Sequence, residues 1–461
     1  MTMRRKNAWT TYNKKQLDEL EKLCKNYLKF LDKGKTEREC VKQIVKQAEE
    51  KGYVNLADIT KDKKALKAGD KVYSVCMDKT VALFQIGKKK LEKGMNILGA
   101  HIDSPRMDVK QNPLYESEEF AYLDTHYYGG IKKYQWVTLP LALHGVVAKK
   151  DGTVITVNVG EDKNDPVFCV TDLLIHLAGE QMEKKANKVI EGENLDVLVG
   201  SKPLEGKEKD AVKEGILEIL KEKYDMTEED FMSAEIEVVP AGHAREAGLD
   251  HSMVMSYGQD DRVCAYTSLA AMLEVEEVEK TTCCLLTDKE EIGSVGATGM
   301  QSRFFENSVA ELMDAMGEFS ELSLRRCLAN SSMLSSDVNA AYDPLFANAF
   351  EKNNASYFGR GVVFSKFTGS RGKSGSNYAN AEYIARIRKM MDKNEVCFQT
   401  AELGKVDVGG GGTIAYILSL YGMEVIDCGV AVLNMHAPWE ITSKADIYEA
   451  YKCYKVFLKE A

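Results

Sequence analysis

From Asp250 onward the chain alternates between helix-like and strand-like segments, and this alternation limits the fold more than any other feature of the sequence. The apolar spacing predicts helices over Asp260–Val275, Phe304–Met316, Tyr378–Met391, Thr413–Tyr421 and Lys444–Glu460. Between them, short apolar runs predict strands over Thr281–Thr287, Arg326–Leu334, Val396–Ala401 and Glu424–Val432. Strands taking turns with helices bury both faces of a sheet, so the expected class is α/β with helices on either side.

The N-terminal part joins the same architecture. Leu17 to Glu50 has helical spacing broken near Gly34, and Val81–Gln85 and Asn96–Ala100 read as strands. Between Met107 and His243 the texture differs. A hairpin is expected over Ala142–Val159, turning at Asp151-Gly152, with a short apolar helix at Asp172–Ala178. An amphipathic stretch spans Leu204–Met226, and a strand over Glu235–Val239 stops at Pro240. We read this region, 107–243, as a β-rich domain inserted into a catalytic domain made of 1–106 and 244–461. No fixed-period repeat is visible.

Composition excludes several function classes. The 461 residues carry 61 Lys and Arg against 71 Asp and Glu, a net charge of −10, which argues against a nucleic-acid or anionic-membrane surface. No segment reaches the roughly 18 uninterrupted apolar residues of a membrane span, and the charged opening Met1–Lys6 leads into a polar stretch, unlike a secretory leader. Eleven scattered cysteines contain no Cys-x-x-Cys pair, which suits free thiols in a reducing cytoplasm.

In open α/β sheets, binding residues gather beyond the carboxyl ends of the strands. Four expected strands deliver a histidine or carboxylate there: His101 and Asp103, then Asp288, Glu290 and Glu291, then Asp337, then Asn434 and His436. Imidazole with carboxylate suits a divalent ion such as zinc, cobalt or manganese. The set exceeds what one tetrahedral ion needs and fits a two-metal centre sharing a carboxylate. The sharing candidate is Asp260 or Asp261, in Gly258-Gln259-Asp260-Asp261-Arg262.

These motifs resemble a known family. Ala100-His101-Ile102-Asp103-Ser104-Pro105, Asp288-Lys289-Glu290-Glu291-Ile292-Gly293-Ser294, Ser336-Asp337-Val338-Asn339-Ala340, Gly409–Thr413 and Met435-His436-Ala437-Pro438-Trp439-Glu440 stand in the order of the M18 metallo-aminopeptidases. Thr36–Glu39, Tyr128-Gly129-Gly130 and Asp172–Ala178 extend the resemblance over nearly the whole chain, to a bacterial aminopeptidase I-type member. It implies a zinc-peptidase-like mixed sheet between helices, an inserted dimerisation domain, and two divalent ions per subunit, zinc first, with cobalt or manganese as alternatives. His101, Asp260, Glu291, Asp337 and His436 would be the ligands, with Asp260 bridging. Glu290 would be general base on a metal-bridging water, and Asp103 would orient the imidazole. The implied activity is removal of single N-terminal residues from peptides with a free N-terminus, by a cytoplasmic homo-oligomer of up to twelve subunits.

The sequence departs from the family at Asp260-Asp261, where eukaryotic members usually carry Asp-Asn, and at Asn339-Ala340 and His436–Glu440. His176 would be a further ligand or would reach into a partner's site. Gly409–Thr413 lacks the Lys-Ser/Thr of a phosphate loop, so Gly410 and Gly411 are expected to approach substrate or metal by backbone. Lys366 and Lys373, with Arg371, flank Thr368–Asn377 and would either recognise an acidic side chain or solvate the loop. Two other readings keep the fold: a metal-dependent deacylase, separated by whether a free amine is required, and a non-catalytic scaffold, separated by metal content.

Overall fold

The computed structural model describes residues 6–461, and Met1–Arg5 of the charged opening lie outside them. The chain divides into two compact units, one of Met1–Asp103, Ala244–Met435 and Glu440–Ala461, the other of Ser104–His243 with His436–Trp439.

The first unit is built on nine strands, in chain order β1 (Val54–Asn55), β2 (Lys71–Cys76), β3 (Thr80–Gln85), β4 (Asn96–His101), β5 (Thr282–Thr287), β6 (Ser332–Ser336), β7 (Val362–Ser365), β8 (Phe398–Thr400) and β9 (Glu424–Gly429). Their order across the sheet is β1-β2-β3-β5-β4-β6-β9-β7-β8. The central four, β5-β4-β6-β9, run parallel, so their carboxyl ends open on one edge. The antiparallel pairings β2-β3, β3-β5 and β7-β9 make the sheet mixed.

Every residue of β3, β4 and β5 is buried, and successive side chains go to opposite faces. Val81, Leu83, Leu98, Ala100, Cys284 and Leu286 enter one core with helices Lys14–Lys33, Glu37–Glu50, Gln259–Glu274, Ala381–Lys393 and Lys444–Glu460. Ala82, Phe84, Ile97, Cys283 and Leu285 enter the other with Leu56–Lys61, Phe304–Ala315, Glu321–Ala329 and Ala415–Ser419. A small second sheet of five strands belongs to the same unit and includes Met253–Ser256, Ala431–Leu433 and Glu440–Ser443.

The second unit carries a six-stranded antiparallel sheet in the order Val154–Val159, Leu141–Ala148, Ala234–Pro240, Arg106–Ser117, Phe120–Tyr128, Val197–Gly200, together with helix Ala211–Tyr224.

The structure corrects three sequence expectations. Arg326–Leu334 is not one strand: Leu324, Cys327 and Leu328 are the buried stripe of a helix ending at Ala329, and the strand begins at Ser332. Glu424–Val432 breaks after Gly429, where a Cβ would lie 1.8 Å from the Asp337 carbonyl oxygen, and Ala431–Leu433 continues in the small sheet. Asp172–Ala178 is only a single turn, Ile175–Leu177, with its apolar side chains exposed. Among the described residues no helix is long and apolar enough to cross a membrane, and all eleven cysteines are unbridged.

Candidate metal centre

His101 is the last residue of β4 and is 1% exposed. Its Nδ1 lies 3.1 Å from the Asp103 carbonyl and 3.2 Å from Asp103 Oδ1, both acceptors. In the neutral ring the proton therefore sits on Nδ1, leaving the Nε2 lone pair, the form a metal ligand requires. Nε2 faces Asp260 Oδ1 at 3.3 Å, Asp337 Oδ1 at 3.9 Å and Glu290 Oε2 at 4.0 Å.

Asp103 is fully buried and does more than hold the imidazole. Its Oδ1 accepts the backbone N–H of Glu290 and its Oδ2 that of Glu291, each at 3.2 Å. One carboxylate thereby joins the end of β4 to the turn that follows β5. Glu290 and Glu291 belong to that turn, Glu290–Ile292, between Lys289 and Gly293, both at positive φ.

Asp260 and Asp261 open helix Gln259–Glu274, but neither has helical backbone angles, and the bond between them is cis. The two carboxylates part company. Asp260 faces His101 Nε2, whereas Asp261 Oδ2 accepts the backbone N–H of His101 at 3.4 Å. Surrounding side chains hold the segment: Glu440 Oε2 accepts the Asp260 N–H at 2.9 Å, and Gln259 Nε2 donates to the Val254 and Glu440 carbonyls. Buried Arg262 donates to the carbonyls of Ile102 and Lys35 at 3.1 and 2.9 Å, fixing the chain where it leaves β4. Asp337 follows β6, its N–H donating to the Cys428 carbonyl at 3.2 Å.

The electrostatics of this cluster call for a cation. Burial pushes the Asp337 carboxyl well above its ordinary range, and repulsion from Glu290 and Asp260 adds to this. Burial likewise raises Asp261, to about 8. Burial opposes a charged His101, yet its hydrogen bonds to Asp103 and Asp260 outweigh this and raise its pKa. Ligand atoms of His101, Asp260 and Asp337 lie within 4.8 Å of one another, as do those of His101, Glu290 and Glu291. A hard or borderline dication among such donors reverses their mutual repulsion, so the residues present fit a zinc-type site.

His436 belongs to the second unit, at positive φ, with Nδ1 2.8 Å from the Gly130 carbonyl. Here too the proton sits on Nδ1 and the lone pair on Nε2. His176, also in the second unit, lies in the exposed turn Ile175–Leu177. Lys366 and Lys373 stack on aromatics: Lys373 Nζ is 3.8 Å from the Phe367 ring centre and 4.9 Å from that of Tyr378, and Lys366 is 5.2 Å from Tyr378. Gly410, at φ +124°, packs against loop 368–377, where a Cβ would meet Gly369 O at 2.2 Å, and Gly411 O accepts the Gly369 N–H at 2.5 Å. These glycines join two loops by backbone contact.

Sequence reasoning assigned no role to Arg262, Gln259 or Glu440. The signal for Arg262 and Glu440 is a charged side chain beside apolar neighbours, as in Arg262-Val263-Cys264-Ala265, which requires buried partners; Gln259, between Gly258 and Asp260, carries no such signal.

Comparison with known proteins identifies the family. A family model described as aminopeptidase I zinc metalloprotease (M18) matches residues 30–458. A probable M18 family aminopeptidase 1 of Clostridium acetobutylicum is 63% identical over 454 residues, 98% of each chain. The crystal structure of an M18 family aminopeptidase from Thermotoga maritima superposes with a TM-score of 0.95 at 46% identity, covering 100% of both chains. That of aminopeptidase I from Clostridium acetobutylicum gives 0.92 at 61% identity, covering 99% of both. With its buried His–carboxylate cluster and this likeness over its full length, the chain belongs to the M18 family of zinc aminopeptidases and is a metallo-aminopeptidase.

Proposed function

We propose that the protein is a co-catalytic, dinuclear zinc aminopeptidase in which Glu290 is the general base. The observation that carries this reading is the pair of overlapping donor groups that share His101, one with Asp260 and Asp337, the other with Glu290 and Glu291. With Glu290 set aside as the base and His436 added, the donors number five, more than one tetrahedral ion uses. His101, Asp260, Glu291, Asp337 and His436 would hold the two ions, with Asp260 bridging. Bound zinc supplies Lewis acidity, lowering the pKa of an attacking water and polarising the scissile carbonyl.

The chain's own residues would do the rest. Glu290 takes the proton of the attacking water and returns it to the leaving amine. Asp103 keeps Glu290 aimed through its backbone N–H and keeps His101 in the Nε2-donor form. The acidic cluster also receives the ammonium of a free N-terminus, which restricts cleavage to the first peptide bond. Gly410, Gly411, Lys366 and Lys373 would line the approach for substrate.

A cytoplasmic homo-oligomer is the proposed setting, supported by the unbridged cysteines and by the exposed apolar side chains Leu173, Leu174, Ile175 and Leu177 around His176. Covering these on a second copy would bring His176 to a partner's site.

Glu290→Gln tests the mechanism. The variant is expected to keep its metal and lose about 10²–10⁴-fold in turnover of aminoacyl nitroanilides; near-normal turnover would remove Glu290 from its role. Mixed with His176→Ala subunits, it is expected to regain activity in hybrid oligomers, and a mixture without recovery would contradict the action of His176 in a partner.

A further inference from the structure

At the β7–β8 edge of the large sheet lies a cavity of about 500 Å³, lined by residues that, Lys366 apart, have no part in the proposed aminopeptidase mechanism. The strand order separates it from His101: β7 is three and β8 four strand spacings from β4, roughly 14 and 19 Å at about 4.8 Å per spacing. Its lining is strongly cationic. Lys352, Arg360, Lys366 and Arg388 face it against the single acid Glu402, in a chain whose net charge is −10.

Lys352, Lys366 and Arg388 have no carboxylate within 4.0 Å among the described residues. Lys352 and Lys366 instead lie over the rings of Tyr342 and Tyr378, at 6.0 and 5.2 Å. Basic groups nearby are paired: Arg386 with Glu424, and Lys393 with Glu460. Polar groups of the lining are committed internally. The Gln399 side chain accepts from Tyr357 N–H and donates to the carbonyls of Tyr357 and Gly361. Buried Phe398 forms part of the wall.

Like charges gathered in a concavity with apolar walls repel one another and focus a positive potential, and an anion is what relieves it. We propose that this cavity is a binding site for a small diphosphate. The three cations without a carboxylate partner, Lys352, Lys366 and Arg388, are matched by a diphosphate, which carries about three negative charges near neutral pH. The volume falls in the range of small-molecule sites, about 300–1,000 Å³. Arginine forks and lysine ammoniums are the side chains that take up phosphate oxygens.

Equilibrium dialysis of the zinc-loaded enzyme with inorganic pyrophosphate, and separately with a nucleoside diphosphate, tests the site at fixed ionic strength with zinc content measured afterwards. The comparison protein is Lys352→Gln/Arg388→Gln, both positions exposed and apart from the metal cluster. Saturable binding that weakens at least ten-fold in the double variant, with zinc content unchanged, is the expected result. Tighter binding of the nucleoside diphosphate marks an organic ligand that uses the apolar wall; equal or tighter binding of pyrophosphate marks the inorganic anion. No saturable binding of either, or equal binding by the double variant, overturns the proposal.

Discussion

Asp103 controls three donor-bearing residues through one side chain, taking the Nδ1–H of His101 and the backbone N–H groups of Glu290 and Glu291. An amide at this position keeps the shape but turns an NH₂ toward groups that are themselves donors. Asp103→Asn is therefore expected to fold and to lose about 10–100-fold in metal affinity or kcat. Chelator competition with parallel kinetics checks this, and wild-type values would contradict it. A second buried carboxylate, Asp427, gives a pH effect. Burial pushes it up to about 7, while the Thr413 hydroxyl that donates to it acts weakly the other way. The folded protein holds this proton up to about pH 7, whereas the unfolded chain releases it near its ordinary 3.8. The stabilisation is thus fully present below about pH 4 and is lost as pH rises through 7, by up to about 4 kcal/mol. Asp427→Asn is expected to flatten this fall in thermal midpoints measured from pH 5 to 8; an unchanged slope would contradict it. At this scale the sequence exposes His101, Glu290, Glu291 and Asp337, because they stand at or just past strand ends, and Asp260, because it opens a helix. The anchoring by Asp103 stays hidden, because its partners at Glu290 and Glu291 lie 187 and 188 residues away.

At the scale of elements, alternation along β3, β4 and β5 is legible because both sheet faces are apolar and successive residues divide cleanly between two cores. Arg326–Leu334 misleads for the opposite reason: Cys327 and Leu328 end a helical stripe, Met333 and Leu334 begin a strand, and only the Asn330-Ser331 break divides them. The break after Gly429 depends on a contact with a distant segment and leaves no periodic trace. There Asp337 N–H pairs with the Cys428 carbonyl and Asn339 N–H with that of Val430, so the backbone of the Asp337 segment passes directly over the glycine. Gly429→Ala would put a methyl 1.8 Å from the Asp337 carbonyl oxygen, where only backbone movement makes room. A stability loss of about 1–3 kcal/mol with reduced zinc retention is expected, read by denaturant unfolding and metal analysis. A variant as stable and as zinc-rich as wild type would contradict this.

Across the whole molecule, the acidic balance has a local component. Asp260, Glu290, Glu291 and Asp337 gather within the first unit, and two dications would offset the charge of all four, so the formal −10 overstates the charge of the metal-loaded subunit. The basic cavity at the β7–β8 edge carries charge of the other sign in the same unit. In the proposed mechanism this acidic cluster holds two catalytic ions. The direct measurement is metal stoichiometry by mass spectrometry, taken with aminopeptidase activity before chelation, after it and on zinc restoration. Two ions per chain, with activity lost on chelation and regained with zinc, is the expected result. One ion or fewer in fully active enzyme, or activity indifferent to chelation, would contradict it.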